Sequence, residues 1–319
     1  MEKPEIIKDT KLFTDSDLDG KSCAVLAKLY HGKYVDITYS NPVGINDVLT
    51  EFINNKEYEL YKTIYITDLN IKPDIASLIS TVHSPDHQFI FIDHHETSMF
   101  MNGLYDWATV AVEQFGYKTC ATRLFYMYLA SKDGTFTNDS GQVAYYVGLV
   151  RLWDTWDWKN ADPEIAKMVK DLNLLCNTYN TNRFVSTTYI KLKDNRPLFS
   201  HAENEIISLL TNNATRYCLK KMKSVKKIRY NDLVLGVVFA ENNISELGNM
   251  ICTENPDIDI AFMICPDINI VSMRTIKDDV NLAEFAKKFG GGGHVKSAGF
   301  PYSRFSNRKL IDSILYDKD

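Results

Sequence analysis

The first half of the chain alternates short apolar stretches of β-prone residues with amphipathic stretches of helical length. The strand-like stretches are TKLFT (10–14), KYVDITY (33–39), YKTIYIT (61–67) and HQFIFID (87–93). Helical stretches separate them: GKSCAVLAKLYHG from about Gly20, then GINDVLTEFIN, then KPDIASLIS, in which Pro73 suits a first helical turn. This alternation predicts an α/β fold, a doubly wound parallel sheet with helices on both faces.

The pattern changes twice further along the chain. From about residue 119 to 222 it is mainly helical, and from about 226 it is mixed, with two hairpins that turn at Asn231-Asp232 and Pro266-Asp267. A helical NLAEFAKKF and the loop GGGGH (290–294) follow. We therefore predict an N-terminal domain over residues 1–195, a helical connector over 196–225 and a smaller C-terminal α+β domain over 226–319.

Composition is consistent with two folded domains and narrows the class of ligand. The 319 residues exceed the usual size of one core, and 45% hydrophobic with 24% charged residues is ordinary for a folded soluble protein. The net charge of −5 argues against non-specific binding of duplex nucleic acid, which usually requires a basic surface. An anionic ligand is still compatible with this charge if the site is locally positive or holds metal ions.

The cysteines and the apolar runs predict a cytoplasmic protein without a membrane segment. The six cysteines are widely scattered and form no Cys-x-x-Cys pair, a spacing typical of reduced thiols. Neither the N-terminal stretch nor any later one has the apolar run of a signal peptide or of a transmembrane helix.

Polar residues follow three of the four predicted strands. They are Asp15, Asp17 and Asp19 after the first, Asp68 after the third, and Asp93, His94 and His95 after the fourth. Ligands of such sheets collect at the carboxyl ends of the strands, so these side chains are expected to meet. If the chain stays extended after the first strand, its three aspartates share one face.

Each motif alone has a structural alternative. TDSDLDG could be an acidic turn, although an EF-hand loop is excluded because its twelfth position, counted from Asp15, is Leu26. Asp68 could cap a helix, and Asp154 in LVRLWDTWDW could be a hydrogen-bonded buried residue. Taken together, these carboxylates and imidazoles offer enough donors for two divalent ions, a recognised device for hydrolysing phosphate esters. Without thiolates, the donor set favours Mn²⁺ or Mg²⁺ over structural zinc.

The ordered set TDSDLDG, ITDLN, FIDHHET, LVRLWDTW, VSMRT and GGGGHVKSAGF resembles the DHH phosphoesterase superfamily over residues ~10 to ~300. It is most similar to the branch with a C-terminal DHH-associated domain, which includes RecJ-type exonucleases and NrnA/NrnB-type oligoribonucleases. The N-terminal domain would then be catalytic and the C-terminal one would bind substrate. Asp15 stands where oligoribonuclease-like members commonly have histidine, so the subfamily stays open.

The resemblance implies a role for each strand-end residue. Asp15 and Asp17 would hold one ion, Asp19 the other, and Asp68 would bridge both. His94 and Asp154 would complete the second ion's ligands. Asp93 would orient an imidazole, and His95 would face the phosphate as a hydrogen-bond donor or acid. The implied cofactors are two divalent ions, Mn²⁺ first, with Mg²⁺ or Co²⁺ as alternatives.

The C-terminal motifs have two interpretations. By itself the glycine run is either a linker or a concave nest of backbone N–H groups for an anion, and Arg274 is either a surface residue or a phosphate ligand. The resemblance implies that Arg274 grips the far phosphate or sugar of a short oligonucleotide with Ser272 beside it. The same role falls on four consecutive residues, Gly291, Gly292, Gly293 and His294.

Two further features favour a structural interpretation. The basic run KKMKSVKKIR (220–229) is expected to be a solvated helix end, with a nucleic-acid track as the alternative. Trp153, Trp156 and Trp158 cluster around Asp154 and are expected in the core, with base stacking as the alternative.

We therefore predict a two-metal phosphodiesterase that hydrolyses short single-stranded RNA or DNA to nucleoside monophosphates. The alternatives are a phosphatase for 3′-phosphoadenosine 5′-phosphate (pAp), a cyclic-dinucleotide phosphodiesterase, an exonuclease for longer substrates and a catalytically inactive nucleotide-binding scaffold. The sequence does not decide the oligomeric state, for which a homodimer is one candidate.

Overall fold

The computed structural model describes residues 9–32, 34–137 and 141–302, and this part of the chain forms two compact units that divide between Ile207 and Ser208. The N-terminal unit contains a sheet whose strands are β1 (Thr10–Thr14), β2 (Asp36–Tyr39), β3 (Thr63–Thr67), β4 (Gln88–Asp93) and β5 (Ala108–Val110). These five strands are parallel, in the order β2-β1-β3-β4-β5. The predicted parallel sheet is confirmed.

Helices cover both faces of this sheet. They are α1 (Leu18–His31), α2 (Ile45–Asn54), α3 (Pro73–Ser80), α4 (Ala121–Lys132), α5 (Gln142–Asp154), α6 (Pro163–Thr178) and α7 (Thr181–Lys193). One buried cluster, with Leu26 and Phe125 at its centre, joins β1 to α1 and α4–α7. A second, around Leu49 and Ile79, joins the opposite face to α2 and α3. Burial on both faces explains why the strands are near-continuous apolar runs, and the doubly wound class is confirmed.

Some element boundaries differ from the sequence-based prediction. Helix α1 begins at Leu18 and not near Gly20, because the Asp17 side chain caps it by accepting a hydrogen bond from the Gly20 amide at 3.0 Å. Strand β2 begins at Asp36, and Lys33, the first residue of the predicted strand, lies outside the described residues. Strand β5 and the hairpin of β6 (Glu113–Gln114) with β7 (Tyr117–Lys118) were not predicted, and helix α7 was not singled out within the region predicted to be mainly helical.

The C-terminal unit is a mixed α+β structure. Helix α8 (His201–Met222) crosses the division between the units and lies within the predicted connector. The remaining elements are β8 (Lys226–Tyr230), β9 (Leu233–Phe239), α9 (Ile244–Glu254), β10 (Ile260–Cys265), β11 (Ile270–Arg274), α10 (Leu282–Lys287), β12 (Gly292–His294) and β13 (Ser297–Pro301). The sheet order is β12-β13-β11-β10-β9-β8, with only β9 and β10 parallel. Both predicted hairpins form, and Asn231 turns the first with a φ of 53°.

The glycine run is not the loop that the sequence predicts. Residues Gly292–His294 form an edge strand that pairs antiparallel with Ser297–Pro301. A Cβ added to Gly291 would lie 2.1 Å from the Gly299 carbonyl oxygen, so the absence of a side chain lets the two segments approach. A run without side chains has no hydrophobic alternation, which is why the strand could not be recognised.

Two other properties bear on the sequence-based expectations. No helix in the described ranges combines the length and the apolar content needed to cross a bilayer. All six cysteines are buried and have free thiols. The predicted domain limits at 195 and 225 and the cytoplasmic location stay predictions.

Candidate metal centre

The sheet register aligns the strand ends that carry the predicted site residues. Thr14 of β1 lies beside Thr67 of β3, and Thr67 lies beside Ile92 of β4. Strand order reverses between β1 and β3, so this edge is the topological switch point at which open α/β sheets bind ligands. At this edge Asp68 directly follows β3 and Asp93 is the last residue of β4. Asp19 lies in the first turn of α1, the helix that follows β1.

Asp19 is fixed by the start of another helix. Its carboxylate accepts hydrogen bonds from the backbone amides of Ala121 at 2.7 Å and Thr122 at 2.9 Å, in the first turn of α4. The Thr122 hydroxyl donates to the Asp19 carbonyl oxygen at 2.7 Å. A helix N-terminus stabilises a carboxylate, which offsets the unfavourable burial of a side chain that is 1% exposed. The two hydrogen bonds also hold the carboxylate in one position. No sequence motif predicts this contact, which joins residues 102 and 103 positions apart.

Asp68 is buried in a strained backbone conformation. Its φ is 56°, a left-handed value that is uncommon for residues other than glycine and asparagine, and the side chain is 3% exposed. Burial, followed by the negative charges of Asp19 and Asp17, raises the pKa of this carboxyl well above its ordinary value. Strain and unfavourable burial at one residue are typical of a functional site.

His94 lies between three carboxylates. Its Nε2 is 3.3 Å from Asp68 Oδ1 and 3.8 Å from Asp19 Oδ2, and its Nδ1 is 3.5 Å from Asp154 Oδ2. Asp154 is the last residue of α5. Burial, together with the charges of Asp19 and Asp17, raises the pKa of Asp154 to about 8. The structure thus brings together four of the six predicted metal ligands.

Asp93 and His95 form a separate pair beside this cluster. His95 Nδ1 lies 2.7 Å from Asp93 Oδ1, which also accepts the His94 amide at 2.8 Å. Although burial opposes ionisation of Asp93, the hydrogen bond and charge of His95 lower its pKa, and the hydrogen bond to Asp93 raises that of His95. The imidazole that Asp93 orients is therefore that of His95, whose side chain is 42% exposed.

Asp15 and Asp17 lie on the turn that enters α1. The donor atoms of Asp19, His94 and Asp154 lie within 4.8 Å of one another, as do those of a second group, Asp68, Asp93, His94 and His95. Asp15 and Asp17 belong to neither group. The extended-chain argument for three converging aspartates is wrong for Asp19, because helix α1 starts before it. Desolvation and the charges of Asp19 and Asp15 raise the pKa of Asp17, which places these acids close enough to repel.

Neighbouring residues that the sequence did not single out shape this turn. The Thr14 hydroxyl donates to the Gly20 carbonyl oxygen at 3.0 Å and accepts from the Thr67 hydroxyl at 2.9 Å. A Cβ on Gly20 would lie 2.2 Å from the Asp15 carbonyl oxygen, so only glycine allows the turn to close. The glycine that ends TDSDLDG was visible in the sequence, but its steric role was not.

The predicted substrate-binding residues of the C-terminal unit divide into two places. On β11, Arg274 donates to Ser272 Oγ at 3.2 Å, to the Met273 carbonyl oxygen at 2.7 Å and to Ser245 Oγ at 2.8 Å. Its partners in the described part of the chain are neutral oxygens, and burial lowers the pKa of the guanidinium. The charge of Glu246 acts in the opposite direction and favours the charged guanidinium.

The other place is the edge strand β12, whose three residues, Gly292, Gly293 and His294, are exposed. A Cβ on Gly293, which has a φ of 138°, would lie 2.6 Å from the Ala298 Cα, so this glycine also allows a close approach. A Cβ on Gly292 would meet no atom within 4 Å. Close packing therefore explains Gly291 and Gly293 but not Gly292. The role of this strand in substrate binding stays a prediction.

The donor set of the N-terminal site fits divalent metal ions. Asp19 and Asp68 are almost fully buried, and neither contacts a lysine or arginine within the described ranges of the chain. Buried carboxylates that repel one another require a cation or protonation. Oxygen donors with one imidazole and no thiolate are typical ligands of Mn²⁺ or Mg²⁺.

Comparison with known proteins decides the family. The chain is 31% identical over 291 residues to oligoribonuclease NrnB from Bacillus subtilis strain 168, which covers 90% of this chain and 71% of that protein. The chain belongs to the DHH phosphoesterase superfamily. Since members of this superfamily are metal-dependent phosphoesterases, the protein is a phosphoesterase. No family model matches the chain.

Solved structures show the same DHH fold. The pGpG-specific phosphodiesterase PggH from Vibrio cholerae aligns with a TM-score of 0.58 and 16% identity, covering 97% of this chain and 98% of that one. An exonuclease RecJ bound to manganese aligns with a TM-score of 0.53 and 13% identity, covering 98% and 91%. At these identities the likeness concerns the fold alone.

Proposed function

We propose that the protein is a metal-dependent phosphodiesterase that hydrolyses short single-stranded oligonucleotides to nucleoside monophosphates. The observation that carries this proposal is His94 surrounded by Asp19, Asp68 and Asp154, with two of these acids buried and without a basic partner in the described ranges. The relative in Bacillus subtilis is an oligoribonuclease, and a structural neighbour acts on the dinucleotide pGpG. Both names support a short oligonucleotide as substrate.

Two divalent ions, Mn²⁺ first, are proposed as the cofactors. Asp19, Asp68, His94 and Asp154 would hold them, with Asp15 and Asp17 as the remaining ligands. Such ions would bind phosphate oxygens, lower the pKa of water and stabilise the attacking and leaving oxygens. The manganese in the RecJ neighbour supports the choice of metal.

His95 and Asp93 are proposed to act on the phosphate. The hydrogen bond from His95 Nδ1 to the buried Asp93 leaves Nε2 as the ring atom that can reach substrate. The hydrogen bond to Asp93 raises the pKa of this imidazole, which favours its protonated form. In that form it would donate a hydrogen bond to a phosphate oxygen or a proton to the leaving oxygen. Arg274 and β12 are proposed to bind the rest of the oligonucleotide.

The proposal is tested by metal-dependent cleavage with a matched pair of variants. We expect wild-type protein with Mn²⁺ to convert a labelled dinucleotide to monophosphates, and Asp68→Asn to lower the rate roughly 1,000-fold. Asparagine preserves both the shape and the left-handed backbone of this residue. Asp171→Asn is the control, because Asp171 is another buried aspartate, 8% exposed, that lies on α6 and pairs with Lys167.

The substrate panel contains the dinucleotide, a 20-residue oligonucleotide, pAp and cyclic di-AMP. Turnover of Asp68→Asn at the wild-type rate would contradict the metal assignment. Wild-type activity confined to pAp or to the cyclic dinucleotide would replace the oligonucleotide with that substrate. If the metal-loaded protein is inert on all four, the catalytically inactive scaffold is the better description.

A further inference from the structure

Two exposed aromatic residues occupy backbone positions that usually belong to glycine or asparagine. Eight non-glycine residues in the described ranges have left-handed φ values, and four of them are asparagines. Phe115, with a φ of 55°, and Trp156, with a φ of 63°, are the aromatic members of this set. They are 75% and 59% exposed, so burial does not compensate the strain.

Phe115 stands on a hairpin at the edge of the sheet that carries the metal centre. Strand β5 pairs Val110 with Asp93 just before the hairpin, and the Ala121 amide bonds Asp19 just after it. The hairpin turns at Phe115-Gly116, a place where Asn-Gly is the favoured pair. Tyr117 in its second strand is 63% exposed. Two aromatic rings thus project from a segment whose ends are tied to site residues.

Trp156 stands two residues after Asp154. Helix α5 ends at Asp154, and the Trp156 amide bonds the Trp153 carbonyl oxygen at 3.1 Å, which puts Trp156 in the left-handed position after the helix. Its ring stacks beside Trp153 with centroids 6.1 Å apart and an interplanar angle of 25°. The expected core location is correct for Trp153 and Trp158, which are partly buried against the first cluster, and wrong for Trp156.

Arg151 ties the two aromatic segments together. Its Nη1 donates to Asp157 Oδ2 at 2.7 Å, beside Trp156, and to the Lys118 carbonyl oxygen at 3.2 Å, at the base of the hairpin. The Arg151 side chain is 14% exposed, so this link is held within the fold. Phe115, Tyr117 and Trp156 therefore lie on two segments that Arg151 links, and we refer to these three residues as the aromatic rim.

Ammonium groups accompany the rim. Lys159 Nζ lies 4.6 Å from the ring centroid of Trp156 and 5.8 Å from that of Trp158, and Lys170 Nζ lies 4.6 Å from the latter. Aromatic rings interleaved with lysines are the arrangement by which proteins bind single-stranded nucleic acid, because bases stack on the rings while the charges meet phosphates.

We propose that the aromatic rim stacks the nucleobases of the oligonucleotide whose phosphate lies at the metal centre. This inference rests on the proposed function and adds the residues that select a substrate bearing bases. Stacking is tolerant of base identity, so the rim favours nucleotides over other phosphate esters without reading sequence. The strain at Phe115 and Trp156 is the cost of placing large rings where smaller residues fit the backbone better.

The test uses variants that remove a ring and relieve the backbone together. Trp156→Gly and Phe115→Asn introduce residues suited to a left-handed φ, so we expect their melting temperatures to equal or exceed that of the wild type. We expect each to raise the KM for a dinucleotide roughly 10-fold and to act less on kcat. Trp156→Phe should restore most of the affinity. Tyr34→Ala, at an exposed aromatic residue before β2 at the amino end of the sheet, is the control.

Equilibrium binding separates this inference from the proposed function. Adenosine 5′-monophosphate and ribose 5-phosphate are titrated against wild type and variants by calorimetry in the presence of Mn²⁺. Tighter wild-type binding of the nucleotide, lost in Trp156→Gly but not in Tyr34→Ala, supports the rim even if the dinucleotide is not cleaved. Equal binding of both ligands by all proteins, or unchanged KM in folded variants, overturns it. So does a change of oligomeric state with unchanged KM, which would make the rim a protein contact.

Discussion

Two of the places where the N-terminal unit buries an acidic group, at Glu203 and at Asp68, are built on opposite principles. Glu203, at the start of α8, is met by Lys191, whose Nζ lies 2.6 Å from each carboxylate oxygen. It also accepts hydrogen bonds from the Ser200 amide at 2.8 Å and hydroxyl at 2.7 Å. Asp68 is buried to the same degree, but its ion-pair contact in the described ranges is with His94 alone, and its other charged neighbours are acids.

The contrast separates a structural charge from a functional one. Glu203 completes a capping box, and burial of its charge is compensated by a lysine, so its pKa is lowered by Lys191 and Ser200 even though burial acts in the opposite direction. Burial and neighbouring acids raise the pKa of Asp68. A fold gains nothing from such a cluster unless a cation enters it. The missing basic partner is therefore the strongest physical argument for metal at the strand ends.

The largest effect is expected from removing one acid of the unpaired cluster. In chelator, Asp68→Asn should melt at a higher temperature than wild type, because it removes repulsion with Asp19. With Mn²⁺ at 100 times its Kd the order should reverse, since wild type gains about 2.7 kcal/mol per bound ion and the variant loses this stabilisation. Thermal unfolding with and without Mn²⁺ measures both. If Asp68→Asn is less stable than wild type in chelator, the proposed repulsion between Asp68 and Asp19 is wrong, and the argument for a metal ion that depends on it fails.

Replacing Glu203, the acid paired with Lys191, should lower stability and leave activity unchanged. Glu203→Gln is expected to lower the free energy of unfolding by roughly 3 kcal/mol, because Lys191 is left buried without its counter-charge. Activity with Mn²⁺ should stay at the wild-type level below the melting transition. Glu205→Gln, an exposed acid on the same helix, is the control. Urea unfolding at pH 7 supplies the free energies.

The ion pair of Glu203 with Lys191 also makes the stability difference between wild type and Glu203→Gln depend on pH. The folded-state pKa of Glu203 is lowered, so its stabilising contribution is present above the ordinary carboxyl pKa of ~4.3 and is lost as pH falls through the folded value. Wild type and Glu203→Gln should therefore converge in stability as the pH falls below the ordinary carboxyl pKa and through the lowered folded-state pKa of Glu203. A constant difference down to pH 3 would show that the carboxylate charge is not what stabilises α8.

The comparison also shows which parts of the site could be predicted from sequence. The strand-end acids and histidines were recognisable because each directly follows an apolar run, and their order along the chain resembles a known superfamily. Their partners were not recognisable. The amides of Ala121 and Thr122 that fix Asp19 lie 102 and 103 residues further along the chain, and backbone groups carry no sequence signature.

Fold elements were missed for related reasons. Strand β5 has three residues, too few for any periodicity to register. Helix α7, TNRFVSTTYIKLK, is rich in β-branched and polar residues of modest helix propensity, and it is stabilised by packing of Phe184, Val185 and Leu192 against the first cluster. Tertiary contacts decide such segments, whereas the long alternation of β1–β4 with helices is decided locally.

The smallest effect is expected from adding a methyl group to Gly292 in the C-terminal glycine run. A Cβ on Gly292 meets no protein atom, so Gly292→Ala should leave the melting temperature unchanged. If β12 binds a phosphate through its backbone, the added methyl group should raise the KM for a dinucleotide about fivefold, equivalent to about 1 kcal/mol. Steady-state kinetics on a dinucleotide measures this, and an unchanged KM would assign the strand a purely structural role.

Gly290→Ala is the matched control for this experiment. Gly290 also faces open space, but its φ is 75°, so alanine there should cost about 1 kcal/mol of stability through backbone strain and leave KM unchanged. Gly292→Ala is thus expected to change KM and not stability, and Gly290→Ala is expected to change stability and not KM. Equal KM values for both variants, each above wild type, would mean that the glycine run acts through its shape and not through contact at Gly292.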